Sequence, residues 1–205
     1  MTLDLPALAA LAAALGWASG MRLYAVVFLT GAAGYMGYVP LPEGLLVLQN
    51  PLVLGASFLM GLMEFIVDKI PGVDTLWDTV HTVIRVPAGA ALAYGALNGA
   101  FGVDGATWSV IAALAGGTLA ATAHAAKATT RAAVNTSPEP FSNITLSLLG
   151  DAAVPALLWL AVEHPLWFWP VLAVAVGAAL VLIVVLFKFL RGLLRRVLPS
   201  APASV

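Results

Sequence analysis

Residues 166–187 read LWFWPVLAVAVGAALVLIVVLF, 22 consecutive positions without a charged side chain. The hydrocarbon core of a bilayer is about 30 Å thick, and an α-helix of about 20 apolar residues crosses it. No water is present there to bind backbone N–H and C=O groups, and a helix satisfies these groups internally. The sequence therefore predicts a membrane-spanning helix over Leu166 to Phe187.

The composition of the whole chain indicates the same class of protein. Of its 205 residues, 61% are hydrophobic and only 9% are charged, with a mean hydropathy of +1.00. Soluble domains carry about 25% charged residues, so this composition cannot form an ordinary water-exposed surface. The net charge of −1 argues against a nucleic-acid partner, and the absence of cysteine excludes disulfides and zinc–thiolate sites. We predict one all-α, polytopic helical membrane domain over residues 1–205.

Apolar runs predict about six spanning helices, preceded by a shorter run, Leu5 to Trp17. Two glycines in a stretch of small residues, Gly16 and Gly20, separate this run from the first span and weaken helix. At 13 residues the run is short for a full crossing, so we expect an interfacial or re-entrant half-helix. The chain then divides into a first half (1–104), a second half (105–187) and a basic tail (188–205). The predicted spans are Gly20 to Tyr38, Leu45 to Val67, Val86 to Phe101, Ala106 to Ala126, Leu146 to Val162 and Leu166 to Phe187.

The basic residues predict an orientation in the membrane. All nine Lys and Arg residues fall at the same ends of the predicted spans, and the connections at the opposite ends contain none. Cytoplasmic ends of spanning helices carry an excess of Lys and Arg. We therefore predict a protein of the bacterial inner membrane with a cytoplasmic C-terminus. The basic run Lys188 to Arg196 would lie against anionic headgroups, so membrane lipids are predicted partners.

Two polar segments interrupt the apolar pattern, Glu64 to Arg85 and His124 to Asp151, and prolines break both. We expect each to form a polar hairpin, either re-entrant or cytoplasmic. The pattern Val73-Asp74-Thr75 with Asp78 recurs as Val134-Asn135-Thr136 with Glu139 at a constant offset. This placement suits a duplicated unit of helix, polar hairpin and helix, which transporters often use. The two hairpins of such a repeat would face each other.

Residue spacing within these segments selects the candidate site. Asp74, Asp78, His81 and Arg85 follow the i, i+4, i+7, i+11 spacing of one helix face. The second segment carries a basic stripe, and burying an acidic or a basic stripe alone would cost several kcal/mol, so we expect the two to pair. The residues predicted to bind an ion or small solute are Glu64, Asp68, Asp74, Asp78, His81, Arg85, His124, Lys127, Arg131, Asn135, Glu139 and Asn143.

These stripes have two other interpretations. Charged residues at cytoplasmic helix ends are often wetted faces, or anchors whose stems lie along lipid. Alternatively, Asp74 and Asp78 lie one helical turn apart and could hold a divalent cation, with His81 as a further ligand. Such a cation could bind a diphosphate, which would favour a metal-dependent membrane enzyme acting on a lipid or diphosphate substrate.

Three classes of function follow. Transport accounts for the apparent duplication, the Pro-broken polar segments and the carboxylates beside His81, which titrates near physiological pH. An enzyme is less favoured, because the chain lacks the Gly-x-Ser-x-Gly, His-Glu-x-x-His, P-loop and dinucleotide motifs. A non-catalytic, lipid-binding membrane scaffold is the third class. We predict a transporter or channel for a small ion or solute, and the sequence is also compatible with a homo-oligomer.

Two blocks of the chain resemble a known family. The first block holds Glu64-Phe65, Asp68 to Asp74, Trp77-Asp78, His81-Thr82, Arg85 and Pro87-Ala88-Gly89. The second holds His124 to Lys127, Arg131, Asn135 to Pro140 and Ser142-Asn143. Together they resemble a bacterial membrane protein family catalogued as domain of unknown function 4126. The resemblance implies an inner-membrane protein with no assigned activity.

Overall fold

The computed structural model describes residues 3–100, 105–136 and 140–197, and this part of the chain is helical without strands. The all-α class predicted from the sequence is confirmed. The elements are α1 (Leu5–Tyr35), a 3₁₀ helix η1 (Glu43–Gln49), α2 (Pro51–Val67), α3 (Val73–Leu97), α4 (Gly105–Val134), α5 (Pro140–Glu163) and α6 (Pro165–Val197).

The lengths and compositions of these helices confirm the polytopic membrane class. Within the described residues, five helices are long and apolar enough to cross a membrane: α1, α3, α4, α5 and α6. The pair η1 and α2, bent by 70°, brings the number to six if it forms one span. At the bend, the Asn50 side chain accepts a 2.9 Å hydrogen bond from the Leu52 N–H, and Pro51 occupies the first helical position. Both features begin a new helix there.

The central helix α1 turns back on itself at Arg22, where the backbone leaves helical geometry (φ −144°, ψ 73°). In a straight helix, Leu11 and Leu29 would lie about 27 Å apart at 1.5 Å per residue. They instead line one cavity of only about 270 Å³. The first arm (residues 5–21) and the second arm (residues 23–35) therefore run toward the same end of the bundle.

The glycines of the first arm pack it against α4. A Cβ on Gly16 would lie 2.6 Å from the Cα of Gly116, and a Cβ on Gly20 would lie 2.2 Å from the carbonyl oxygen of Ala120. Only glycine allows the two backbones to approach so closely. The break that the sequence predicts between Gly16 and Gly20 is therefore misplaced, because both glycines lie within the helical first arm and the break is at Arg22.

The two polar segments belong to long helices. The first covers the end of α2, a short turn over residues 68–72 and the first half of α3. The second covers the end of α4 and the first half of α5, with residues 137–139 of its turn outside the described part. Both turns lie at the opposite end of the bundle from the ends of the α1 arms, and the bend at Arg22 points toward them.

Candidate functional site

The polar stripe of α3 faces the interior of the molecule. Asp74 and Arg85 are 0% exposed, Asp78 is 2% exposed and His81 is 5% exposed. On the opposite side of the same turns most exposed residues are apolar, among them Leu76, Val80 and Val83. A helix that is polar inside and apolar outside is typical of a membrane-embedded ionisable site. The interpretation of this stripe as a wetted face is therefore wrong.

Arg85 lies at the centre of the buried cluster. Its Nη2 donates to Oε1 of Glu64 at 2.7 Å, and its Nη1 donates to Oδ1 of Asp78 at 2.8 Å. The Nζ of Lys127 lies 3.0 Å from the same Asp78 oxygen. These contacts join α2, α3 and α4 through paired charges, as expected for ionisable groups removed from water.

Arg22, at the bend of α1, connects this centre to α5. Its guanidinium pairs with Asp68 and, at 2.9 Å, with Asp151, and it also donates to the Ser147 hydroxyl at 2.9 Å. Lys69 is the second base on Asp151, at 2.9 Å. The bend therefore places a buried base where α2 and α5 both supply acids.

Asp68 is the acid that links the two ends of the cluster. It pairs with Arg22 and, at 2.8 Å, with Lys127, while a second guanidinium, that of Arg131, lies 3.7 Å away. Burial alone would raise the pKa of the Asp68 carboxyl, but the charges of Lys127 and Arg22 outweigh it and hold this pKa below its usual value. Asp68 is therefore ionised at neutral pH.

Asp74 organises the end of the cluster near the interhelical turns. Its Oδ1 accepts from the Gly72 and Thr75 N–H groups at 2.9 and 2.6 Å, at the first turn of α3. Its two oxygens also accept from Arg131 at 3.1 Å, from Asn135 at 3.0 Å and from Asn143 at 3.1 Å. The two polar segments thus meet at Asp74, as the sequence predicts for facing hairpins.

The two histidines have defined hydrogen-bonding roles. Nη1 of Arg85 lies 3.1 Å from Nδ1 of His124. Because a guanidinium can only donate hydrogen bonds, this Nδ1 is the acceptor. The hydrogen of His124 is then on Nε2, which faces the Thr82 hydroxyl at 2.8 Å. His81 lies apart from the ion pairs, because its Nδ1 donates to the Trp77 carbonyl at 2.8 Å and its Nε2 lies 3.1 Å from the Tyr24 hydroxyl.

The bend in α1 also contributes backbone groups to the cluster. The carbonyl oxygen of Gly20 lies 3.4 Å from Nη1 of Arg85, and that of Met21 lies 3.2 Å from Nζ of Lys127. Carbonyls at the end of a helical segment lack partners within the helix and carry the negative end of its dipole. The last carbonyls of the first arm are therefore satisfied by two cations, the buried Arg85 and the part-buried Lys127.

Three carboxylate oxygens in the cluster are buried and have no hydrogen-bond partner among the described residues. They belong to three acids whose other oxygen is already paired: Oε2 of Glu64, Oδ1 of Asp68 and Oδ2 of Asp78. An unpaired buried carboxylate oxygen is costly.

Ten of the twelve predicted site residues form one connected network. They are Glu64, Asp68, Asp74, Asp78, Arg85, His124, Lys127, Arg131, Asn135 and Asn143. His81 is buried beside them with other partners, and Glu139 lies outside the described residues. We call the connected set, with Arg22, Lys69, Ser147 and Asp151, the buried network.

The three residues predicted to hold a metal ion, Asp74, Asp78 and His81, have protein partners in this structure, and the metal site stays a prediction. Asp74 contacts Arg131 and two asparagines, Asp78 pairs with Arg85, and His81 lies within hydrogen-bond distance of the Tyr24 hydroxyl. In the part of the chain that the structure describes, no three His, Asp or Glu side chains come together in a way that could hold a metal ion. Helical spacing placed the two aspartates on one face, but Asp74 pairs with Arg131 of α4, whereas Asp78 pairs with Arg85 of its own helix and with Lys127 of α4.

Sequence analysis missed Arg22, Lys69, Ser147 and Asp151. Arg22 carried the clearest signal, since it is an ionisable residue inside an otherwise apolar run. The glycines before it, Gly16 and Gly20, predicted a break in this stretch, but not its position at Arg22. Asp151 is the twelfth residue of α5, in the middle of the helix, where an acid also needs a partner.

A family model described as Domain of unknown function (DUF4126) matches residues 9–186. The chain belongs to this family. The match covers α1 from Ala9, all of the buried network and α6 as far as Leu186. Comparison with curated proteins and comparison with solved structures each gave no match. The DUF4126 description assigns no activity, so the function is argued from the geometry of the buried network.

Proposed function

We propose that this protein moves a small ion or solute across the bacterial inner membrane, and that the buried network is the site occupied during passage. The observation that carries this proposal is the bend of α1 at Arg22, inside a network of five acids and five bases. Ionisable groups are costly within a membrane, and their presence there is functional by default.

A turned-back helix is a feature of transport sites. In many transporters, discontinuous helices end near the middle of the bilayer, where their unsatisfied backbone groups and dipoles meet the transported species. The two arms of α1 meet in this way at Arg22, and the carbonyls of Gly20 and Met21 face Arg85 and Lys127. A purely structural bundle would not need a broken helix at its most polar point.

The proton is the ion that the geometry favours. The network is balanced in charge, and its bases are held by acids, so a proton added to a carboxylate would release the base paired with it. Glu64 and Asp78 each have a buried carboxylate oxygen without a hydrogen-bond partner among the described residues, where such a proton could bind. His124, neutral in the described arrangement, lies against Arg85 and could take up a proton when that guanidinium moves.

The surroundings of the network support an inner-membrane location. The basic residues gather at one end of the bundle, and the apolar outer faces of α3 and α6 would lie in lipid. The orientation that follows places the interhelical turns and the C-terminus in the cytoplasm. The network then opens toward the cytoplasmic side, and the two arms of α1 end at the outer side.

The experiment that tests the proposal is proton flux in liposomes. The purified protein is reconstituted in phosphatidylcholine–phosphatidylglycerol vesicles with an entrapped pH-sensitive dye, and a potassium diffusion potential is applied with valinomycin. We expect faster proton entry than in protein-free vesicles. Asp78→Asn and Glu64→Gln should each reduce the flux to the protein-free rate while the protein still purifies as a folded species.

The matched control is Glu43→Gln, the same acid-to-amide change at an exposed position of η1. It should retain the wild-type flux. Wild-type vesicles that conduct no faster than empty ones, or folded Asp78→Asn and Glu64→Gln proteins that conduct like wild type, would contradict the proposal. A lipid-binding scaffold or a membrane enzyme would then be the better account.

A further inference from the structure

A cavity of about 310 Å³ lies beside the buried network, bordered by α1, α4, α5 and α6. Helices α4 and α5 touch each other at few positions, although both pack along α1. The cavity occupies the space that this separation leaves, and α6 closes it on one side. Its volume is at the lower end of the range for small-molecule sites, about 300–1,000 Å³.

The cavity has a cationic end. Arg22, Lys127 and Arg131 line it, and no acid is among the described residues that do so. The acids paired with these bases lie behind them, on the side of α2 and α3. An occupant would therefore meet three positive charges at one end, and an anionic group is the chemistry that complements them.

The rest of the cavity is apolar and built from small residues. Alanines of three helices form much of the wall, with Trp17 and Met21 of α1 beside them: Ala123, Ala126, Ala153, Ala175, Ala178 and Ala179. Small side chains leave room for a narrow apolar group between the helices. At the rim, Leu149 is 62% exposed and Leu182 is 43% exposed, so the cavity opens onto the surface that would face lipid.

We propose that this cavity binds a single-chain anionic amphiphile that enters from the bilayer. Its phosphate or carboxylate would share the guanidinium and ammonium groups of Arg22 and Lys127, and its alkyl chain would lie along the alanine wall. This proposal does not rest on the proposed transport, because binding needs no ion or solute to cross the membrane, although Arg22 and Lys127 also belong to the buried network. Its occupancy would compete with Asp68 for the same two bases.

Gly150 offers a way to fill the cavity without removing any member of the buried network. A Cβ at this position would lie 3.8 Å from Nε and 4.0 Å from Nη2 of Arg22, which are ordinary contact distances. Gly150→Leu therefore places a side chain inside the cavity, next to its cationic end, without a backbone clash. Leucine also favours helix over glycine, so α5 should remain folded.

Equilibrium binding of radiolabelled dodecyl phosphate to the full chain in phosphatidylcholine nanodiscs tests the proposal. We expect saturable binding that dodecanol and dodecyltrimethylammonium do not displace, since they share the chain but lack the negative charge. Inorganic phosphate should not displace it either, because it lacks the chain. Gly150→Leu should raise the Kd by about tenfold or more.

The matched control is Gly55→Leu, the same substitution at a helical glycine of α2 with nothing within 4 Å of the added Cβ. It should bind dodecyl phosphate as wild type does, and both variants should melt near the wild-type temperature. Equal displacement by dodecanol, displacement by inorganic phosphate, or wild-type affinity in Gly150→Leu would overturn the proposal.

Discussion

Arg85 and Glu64 form a 2.7 Å ion pair between α3 and α2, with their side chains 0% and 1% exposed. The two helices make few other contacts with each other. The pair therefore joins two elements that the apolar packing of the bundle leaves largely separate. Both residues lie on the polar inner faces of their helices, and their pairing allows two charges to be buried there.

Arg85→Leu should be strongly destabilising. It leaves Glu64 and Asp78 buried without the guanidinium they share, and breaking a buried ion pair costs about 3–5 kcal/mol. Chemical unfolding in detergent measures the free energy of unfolding. Glu64→Gln should cost less, and the double variant should cost less than the sum of the two single variants because the partners are coupled.

The control for this series is Lys188→Gln, which removes a positive charge at an exposed position near the end of α6. It should leave the free energy of unfolding within about 0.5 kcal/mol of wild type. A cost below about 1 kcal/mol for Arg85→Leu would show that the network is wet rather than buried.

Gly16→Ala should destabilise the contact between α1 and α4. The added Cβ would lie 2.6 Å from the Cα of Gly116, so the two helices must separate, at a cost of about 1–3 kcal/mol. Gly55→Ala, where the Cβ meets nothing, should instead stabilise α2 slightly through helix propensity. Thermal unfolding of the two variants side by side should give shifts of opposite sign, and equal shifts would argue against the close approach.

Asn135→Ala should remove a bridge between the two polar segments. Asn135 donates to Asp74 at 3.0 Å and to the Thr75 hydroxyl at 2.9 Å, and each bond contributes about 1 kcal/mol. The neighbouring Thr136 bonds only within its own turn, to the Ala133 carbonyl among the described residues, and it is exposed. Thr136→Ala should therefore have a smaller effect on the melting temperature, and an equal effect would show that the bridge is absent.

The contribution of Asp68 to the stability of the folded protein should depend on pH. The pKa of its carboxyl is lower in the folded protein than in the unfolded chain, so its ionised form contributes stability above the unfolded value of about 4. That contribution is lost as pH falls through the lower folded pKa. Asp68→Asn should lower the melting temperature clearly at pH 7 and progressively less toward pH 3. A constant difference across this range would contradict the pairing with Arg22 and Lys127.

The sequence predicts the helical membrane class and most of the network because both depend on local spacing. The i, i+4, i+7 pattern from Asp74 identified the inner face of α3, and the basic stripe from His124 identified its partner on α4. The functional role of these residues stays a prediction, as does the internal repeat. So do the inner-membrane location and the homo-oligomer.

The remaining features depend on contacts between distant parts of the chain. The bend at Arg22 could not be predicted, because the residue has no proline beside it and its φ/ψ values are stabilised by acids on α2 and α5. The partners of the two aspartates in the predicted metal set also depend on such contacts. Helical spacing showed that Asp74 and Asp78 share a face, but it could not show that Arg131 and Arg85 would each take one of them.

The central claim is that α1 turns back at Arg22 and so places the buried network at the point of a re-entrant helix. The chain has no cysteine, so spin labels can be attached at Leu5→Cys and Tyr35→Cys, both exposed positions at the ends of the arms. A straight helix would hold these positions about 45 Å apart. The control pair Leu166→Cys and Phe189→Cys on α6 should give about 35 Å. Pulsed electron–electron double resonance in nanodiscs should give a distance between the two α1 spin labels far shorter than 45 Å. A distance near 45 Å would contradict the account.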